Sequence, residues 1–410
     1  MKSIKSCYPW LVVALLWIVA LLNYLDRILL TSMRDPIIKD FSITDTQFGL
    51  LTSVFLWSYG ILSPFGGFFA DKYGRKKIIV FSAFVWSVAT LWTGMVSSFG
   101  ELLVARTFMG ISEASYIPAA LAMITDYHRN RTRSLATGIH MSGLYAGLAL
   151  GGIGGFIAEW WGWRFGFQFF GAFGILYSIG LMLFLKDSKM DQTVELSETG
   201  NEVKEKINFL GSFKVIFGKK SFNILLLFFC IYGMVTWLIY GWLPTFLKDH
   251  FHLNLGEAGL SATGYIQIGA FAGVILGGIL ADRWSAINMR GRIYVVVIGF
   301  TLGAPFLFLM ASTQIFIIAI FAMLVFGVAK GVNDANLMPI LCQIVDGRYL
   351  ATSYGFLNFL STIVGGMMVY FAGALQDANI ELSIAYQVIA IVLMLASWSL
   401  LLLKLKKKVD

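Results

Sequence analysis

Apolar residues run in long blocks along the chain, interrupted by short polar punctuation. Twelve such blocks fall near 10–32, 46–70, 78–97, 101–126, 133–157, 164–186, 221–247, 256–281, 292–311, 314–341, 351–375 and 383–403. Each is long enough to cross a hydrocarbon core of ~30 Å as a helix, and too long for a membrane β-strand. No water reaches the bilayer core, so a spanning segment must satisfy its own backbone, which a helix does. The single long polar stretch, 187–219, separates six blocks from six. The pattern predicts an all-α membrane protein with twelve transmembrane helices, here called spans 1 to 12. They form two six-helix bundles, 1–186 and 220–410, joined by a central loop over 187–219. The first block exceeds a signal-peptide core and charges follow it, so it is read as a retained helix.

Composition agrees. The chain is 58% hydrophobic and 13% charged, where soluble domains carry about 25% charged residues. The net charge of +8 would suit nucleic acid, but its distribution does not. With the N-terminus inside, the outer loops hold only Arg34, Lys39, Arg164 and Lys248. Every other loop or tail lysine and arginine falls on the inner side. This asymmetry predicts that both termini are cytoplasmic, in a multi-pass protein of the cell inner membrane. No nucleic-acid partner is expected. Cys7, Cys230 and Cys342 form no motif. The only metal hint is His250-x-His252 in an outer loop, and neither a metal site nor a cofactor is expected.

The two halves repeat. GISEASYIP (110–118) in span 4 aligns without gaps to GVNDANLMP (331–339) in span 10. GGFFADKYGRKK (66–77) after span 2 pairs with GGILADRWSAINMRGR (277–292) after span 8. Parallel repeats of six helices predict two bundles with a substrate site between them near the midplane. Asp71 ends a helix, where the dipole disfavours an anion. With Lys72 and Arg75 nearby, it can form a latch that holds the bundles together inside and releases in another state. Simple positive-inside anchoring is the plainer alternative.

Few charges lie inside the spans: Asp26 and Arg27 in span 1, Arg106 and Glu113 in span 4, Lys330 and Asp334 in span 10. Each is expensive in lipid and should face a cavity or a partner. Asp26 and Arg27 are adjacent and point about 100° apart on a helix. Arg27 is expected to face the central cavity, and Asp26 a neighbouring helix, plausibly span 4. An arginine fork suits a carboxylate or phosphate. Carboxylates held between a cation and apolar surroundings can gain and lose protons, which is what coupling a proton to an anion requires. A static set of ion pairs joining spans 1 and 4 would use the same residues. Lys330 and Asp334 are four apart and either pair with each other or, with Asn333, contact a large substrate. His140 in span 5 either lines the cavity or packs.

The stretch Gly67-Phe-Phe-Ala-Asp71-Lys72-Tyr-Gly74-Arg75-Lys76-Lys77 is similar to the loop between helices 2 and 3 of the major facilitator superfamily. A degraded copy stands at Gly278, Asp282 and Arg283. N-Y-x-D-R in span 1 with R-x-x-x-G-x-x-E in span 4 resembles the anion:cation symporter branch, which includes galactonate, glucarate, hexuronate and sialin-type carriers. The resemblance implies a proton-coupled symporter of an organic anion, not an enzyme, that works as a monomer. It implies that Arg27 binds the substrate carboxylate, that Asp26 and Glu113 carry protons, and that Arg106 is linked to them. Tyr59 in span 2 would contact the sugar, with Asn358 in span 11 a weaker correspondence. Spinster-like lipid carriers also share a D-R pair and SEASY (112–116), and are the main alternative. Sugar-phosphate antiporters typically have an arginine in span 7, which is missing here. Drug:proton antiporters carry a proline in span 5 that Gly147–Gly152 lacks.

Overall fold

The computed structural model describes residues 2–128, 132–187, 215–346 and 349–405; the side chains of residues 2–6, 67, 68, 71, 134 and 351 are not described. The predicted central loop lies outside the described residues over 188–214. Among the described residues twelve helical segments are long and apolar enough to cross a membrane. The chain forms two compact units. The first comprises Met1–Ile43 and Val54–Lys206, the second Thr44–Ser53 and Ile207–Asp410.

In the first unit, α1 (Lys2–Leu29) gives way to a short 3-10 turn and to α2 (Arg34–Phe41). Then follow α3 (Asp45–Tyr73), whose first residues belong to the second unit, and α4 (Arg75–Thr93). Gly74, at φ +89°, makes the tight turn between them. Span 4 was expected as one helix but is two, α5 (Phe99–Glu113) and α6 (Tyr116–Tyr127). Pro118, just past the break, has no N–H to give the Ala114 carbonyl four residues back. It sits instead in the first turn of α6, where proline is tolerated. Ser82 from α4 donates to the Ser112 carbonyl just before the break. Span 5 is likewise divided, into α7 (Arg133–Leu150), a 3-10 turn and α8 (Gly154–Trp161), and α9 (Trp163–Phe184) is span 6.

The second unit has long unbroken helices: α10 (Lys220–Phe251), α11 (Leu255–Ile287), α12 (Gly291–Ser312), α13 (Phe316–Ile344), α14 (Leu350–Asp377) and α15 (Leu382–Ser399). The start of α3 is tied into this unit. Asp377 accepts the backbone N–H groups of Asp45 and Thr46, each at 2.9 Å, and Ser53 donates to the Gly366 carbonyl at 2.7 Å. A carboxylate at a helix N-terminus satisfies orphan donors and suits the dipole.

Lipid tails offer no hydrophobic force between helices, so close backbone approach through small residues does the packing. A Cβ at Gly147 of α7 would collide with the Leu21 carbonyl of α1. Repeat-equivalent glycines play matching parts. Gly110 lets α5 approach the Phe55 carbonyl of α3, and Gly331 lets α13 approach the Ala270 carbonyl of α11.

Gly147→Val should therefore destabilise the fold by about 1–3 kcal/mol through overpacking. Gly138, on the same helix, has nothing within 4 Å of a built Cβ. Gly138→Ala should be neutral or slightly stabilising. Thermal unfolding of the two variants in detergent checks the contrast, and equal melting temperatures would contradict it.

Candidate functional site

The first unit buries four charges together. Arg27 Nε donates to Glu113 Oε2 at 2.7 Å, with side chains 2% and 0% exposed. Asp26 and Arg106 are equally buried. Glu113 is the last residue of α5, where the helix dipole opposes an anion, and the Arg27 guanidinium offsets both that dipole and the lost hydration. Arg106 lies within electrostatic range of Glu113 and Asp26, and Asn23 lies beside the Glu113 carboxylate. Two acids and two bases make the ionised cluster formally neutral.

Aromatic faces complete the setting. The Arg27 guanidinium carbon lies 4.5 Å from the ring centres of both Tyr24 and Tyr59, and 5.2 Å from that of Phe55. Arg106 uses the same Phe55 ring at 4.9 Å, and its Nη1 donates to the Met109 sulfur at 3.2 Å. Such contacts hold a cation in a dry site without neutralising it. With Nε engaged by Glu113, Arg27 Nη2 meets no hydrogen-bond partner among the described residues, and neither does Asp26 Oδ1.

One pairing differs from the sequence expectation. Arg27 Nε reaches Glu113 of span 4; Asp26 lies in electrostatic range of Arg106 and Glu113 of the same span, but its hydrogen bond is with α4, where Oδ2 accepts from Thr90 Oγ1 at 3.1 Å. The two side chains diverge, as adjacent helical residues must. Sequence reasoning also passed over Tyr24, Phe55 and Thr90. Tyr24 stands inside the N-Y-x-D-R motif itself, and Thr90 is a polar residue in an apolar span.

The other predicted residues have separate surroundings. His140 is fully buried, its ring centre 6.0 Å from that of Tyr116, whose hydroxyl donates to the Leu16 carbonyl. In the second unit Lys330 Nζ donates to Asp334 Oδ2 at 2.8 Å, and the Tyr232 hydroxyl of α10 donates to Asp334 Oδ1. Asn333 is buried and Asn358 half-buried on α14. Of the predicted latch, the side chain of Asp71 and the environment of Gly67 lie outside the described residues. Lys72 Nζ lies 5.3 Å from the Tyr73 ring centre. Arg75 forms an ion pair with Asp126 of α6, a partner not foreseen, and donates to the Ala122 carbonyl. Asp282 pairs with Arg292, and Arg283 lines an apolar groove with Trp284 and Val332.

The family model for the Major Facilitator Superfamily matches residues 16–370. The probable sulfoacetate transporter SauU of Cupriavidus necator is 29% identical over 63% of this chain and 62% of its own length. The chain thus spans less than two thirds of that curated relative. The D-galactonate transporter of Escherichia coli O6:H1 is 26% identical over 67% of each chain. Among solved structures, a bacterial homologue of the human lysosomal transporter Spinster, inward-facing and unoccupied, superposes with a TM-score of 0.79 over 98% of this chain and 99% of its own, at 23% identity. This last likeness concerns the fold. Twelve spans, two repeated halves and a family match over most of its length make this multi-pass membrane protein a member of the Major Facilitator Superfamily.

Proposed function

We propose that the chain is a secondary active transporter of the inner membrane, with cytoplasmic termini, that carries an organic anion of the sugar-acid class together with protons by alternating access. The observation that carries this reading is the buried Arg27–Glu113 ion pair beside Asp26 and Arg106. The reasoning is charge balance in a dry site. An incoming carboxylate that takes Arg27 leaves Glu113 without its cation. An unpaired buried carboxylate costs about 3–5 kcal/mol, and a proton removes that cost. Anion binding and proton uptake therefore favour each other, and the linkage is reciprocal. Asp26, held by a neutral threonine, is the second acid able to take part. Tyr59, whose ring lies against Arg27, is the proposed contact to the polyol of the substrate, and Asn358 is a further candidate contact. The names of relatives such as the D-galactonate transporter support the substrate class.

Arg27→Lys keeps the charge but loses the fork. It should weaken substrate affinity by roughly 1.5–3 kcal/mol, the worth of one charge-assisted contact. Equilibrium binding on purified protein measures this, and near-normal affinity in Arg27→Ala would remove Arg27 from the site.

Glu113→Gln keeps the shape and removes a titrating group. In proteoliposomes this variant should exchange labelled substrate yet fail to accumulate it when a pH gradient, acid outside, is imposed. Accumulation at the wild-type level would show that Glu113 is not the coupling acid. If wild-type uptake ignores the pH gradient while fluorescent lysophospholipid is moved, a lipid carrier replaces the symporter reading.

A further inference from the structure

Within the second unit, α11, α12 and α13 leave an open groove of about 440 Å³ between them. Leu280 and Ile287 of α11, Ile298 of α12 and Val332 of α13 line it. Ile287 is 88% exposed, and Leu280 and Ile298 are about half exposed. The groove begins where α11 ends, at Ile287, and runs inward to Gly299. Gly299 lies eight residues beyond the first residue of α12, roughly 12 Å deeper by helical rise.

Packing does not call for a glycine at that point. A Cβ on Gly299 would meet Val332 at 3.4 Å, an ordinary contact. One on Gly303, a turn further along α12, would collide with the Ala329 side chain. Gly303 lets two helices approach, whereas Gly299 leaves a slot open between them.

One end of the slot is charged. Arg283 lines it beside Trp284, whose ring centre lies 5.5 Å from that of Tyr294. Amphipathic rings of this kind favour the headgroup level of a bilayer. The neighbouring arginines are engaged: Arg292 pairs with Asp282, and Arg290 donates to the Leu401 and Leu403 carbonyls. Arg283 is exposed and makes no hydrogen bond or ion pair with any described residue.

These features together select an occupant. A neutral lipid would fill the slot and leave Arg283 without a counter-charge. A soluble anion would meet a single exposed cation, for which water competes, and would leave the slot empty. A phospholipid with an anionic headgroup meets both demands, because its phosphate suits the guanidinium fork and its acyl chain packs along the slot. Anionic lipids are concentrated in the cytoplasmic leaflet, and the α11–α12 connection lies on that side in the topology proposed above.

We infer that the groove between α11, α12 and α13 is a binding site for one anionic phospholipid of the cytoplasmic leaflet, with its phosphate on Arg283 and an acyl chain along Ile298 and Gly299. The site uses residues of the second unit alone and stands apart from the charge cluster of the proposed coupling.

The test titrates purified protein in a neutral detergent with phosphatidylglycerol or with phosphatidylcholine of the same acyl chains. Native mass spectrometry resolves the protein carrying one lipid. The first phosphatidylglycerol should bind about fivefold more tightly than phosphatidylcholine, the worth of one basic residue near an anionic surface. Glycerol phosphate, which has the anion but no chain, should not displace it at the same concentration. In Arg283→Gln the ratio of the two lipids should fall towards one. Arg283 is exposed and unbonded, so this variant should melt as the wild type does. Lys220→Gln loses the same charge at the exposed start of α10 and should keep the ratio. Gly299→Leu fills the slot with Arg283 intact and should weaken the binding of both lipids.

Equal affinity of the wild type for the two lipids overturns the inference. So does an Arg283→Gln protein that keeps the ratio, or a Lys220→Gln protein that loses it, since net charge alone would then be at work. Displacement by glycerol phosphate would reduce the site to a phosphate contact and overturn the role of the chain. A dimer that dissociates in Gly299→Leu would assign the groove to a second copy of the chain instead.

Discussion

A full charge placed where no water can reach it must find its counter-charge within the protein, and the Arg27–Glu113 contact is where this chain meets that demand most severely. Both side chains are almost wholly buried, and either alone would be several kcal/mol out of balance. Much of the first unit is arranged around that contact. Helix α5 stops at Glu113, so the acid sits at a helix end and depends on the cation opposite. Gly110 removes the side chain that would hold α5 away from α3, and so brings Phe55 and Tyr59 onto the two guanidinium groups. The stacked rings take water away from the guanidinium groups without neutralising them, so the charge of Arg27 is balanced by Glu113.

The second unit answers the same demand more cheaply. Its acid at the matching repeat position takes a lysine one turn away on its own helix and a phenol from α10. No arginine and no helix break are needed, and α13 runs unbroken from Phe316 to Ile344 although Pro339 matches Pro118 in the repeat. The two halves share a backbone plan and the glycines that bring spans together, and differ in how strongly each holds its charge.

The fold was legible because its cause is written along one dimension. Blocks of apolar residues of membrane length, a charge bias between loops and an internal repeat require no knowledge of contacts, and the twelve spans follow from them. The candidate charges could also be found, because Asp26, Arg27, Arg106, Glu113, Lys330 and Asp334 stand out against an apolar background. Their partners could not. Whether Asp26 or Arg27 meets span 4 depends on the rotation of α1 about its axis, and a periodic pattern with charges on adjacent positions does not determine it. Thr90, Tyr24, Tyr232 and Asp126 were overlooked for a related reason. A threonine or tyrosine in a span, or an acid at a span end, is common enough to carry no signal until a partner is seen beside it.

The sequence separation of the two ion pairs also bears on how the chain enters the membrane. Glu113 follows Arg27 by 86 residues, so α1 is synthesised and must leave the insertion machinery several spans before its counter-ion exists. At a synthesis rate of about 5–20 residues per second the wait lasts several seconds. An arginine near a helix end can keep its charge hydrated at the headgroups through its long stem. Only when α5 arrives can the Arg27–Glu113 pair form. Lys330 and Asp334 arrive in the same turn of one helix, already neutral as a pair, and α13 carries no such delay.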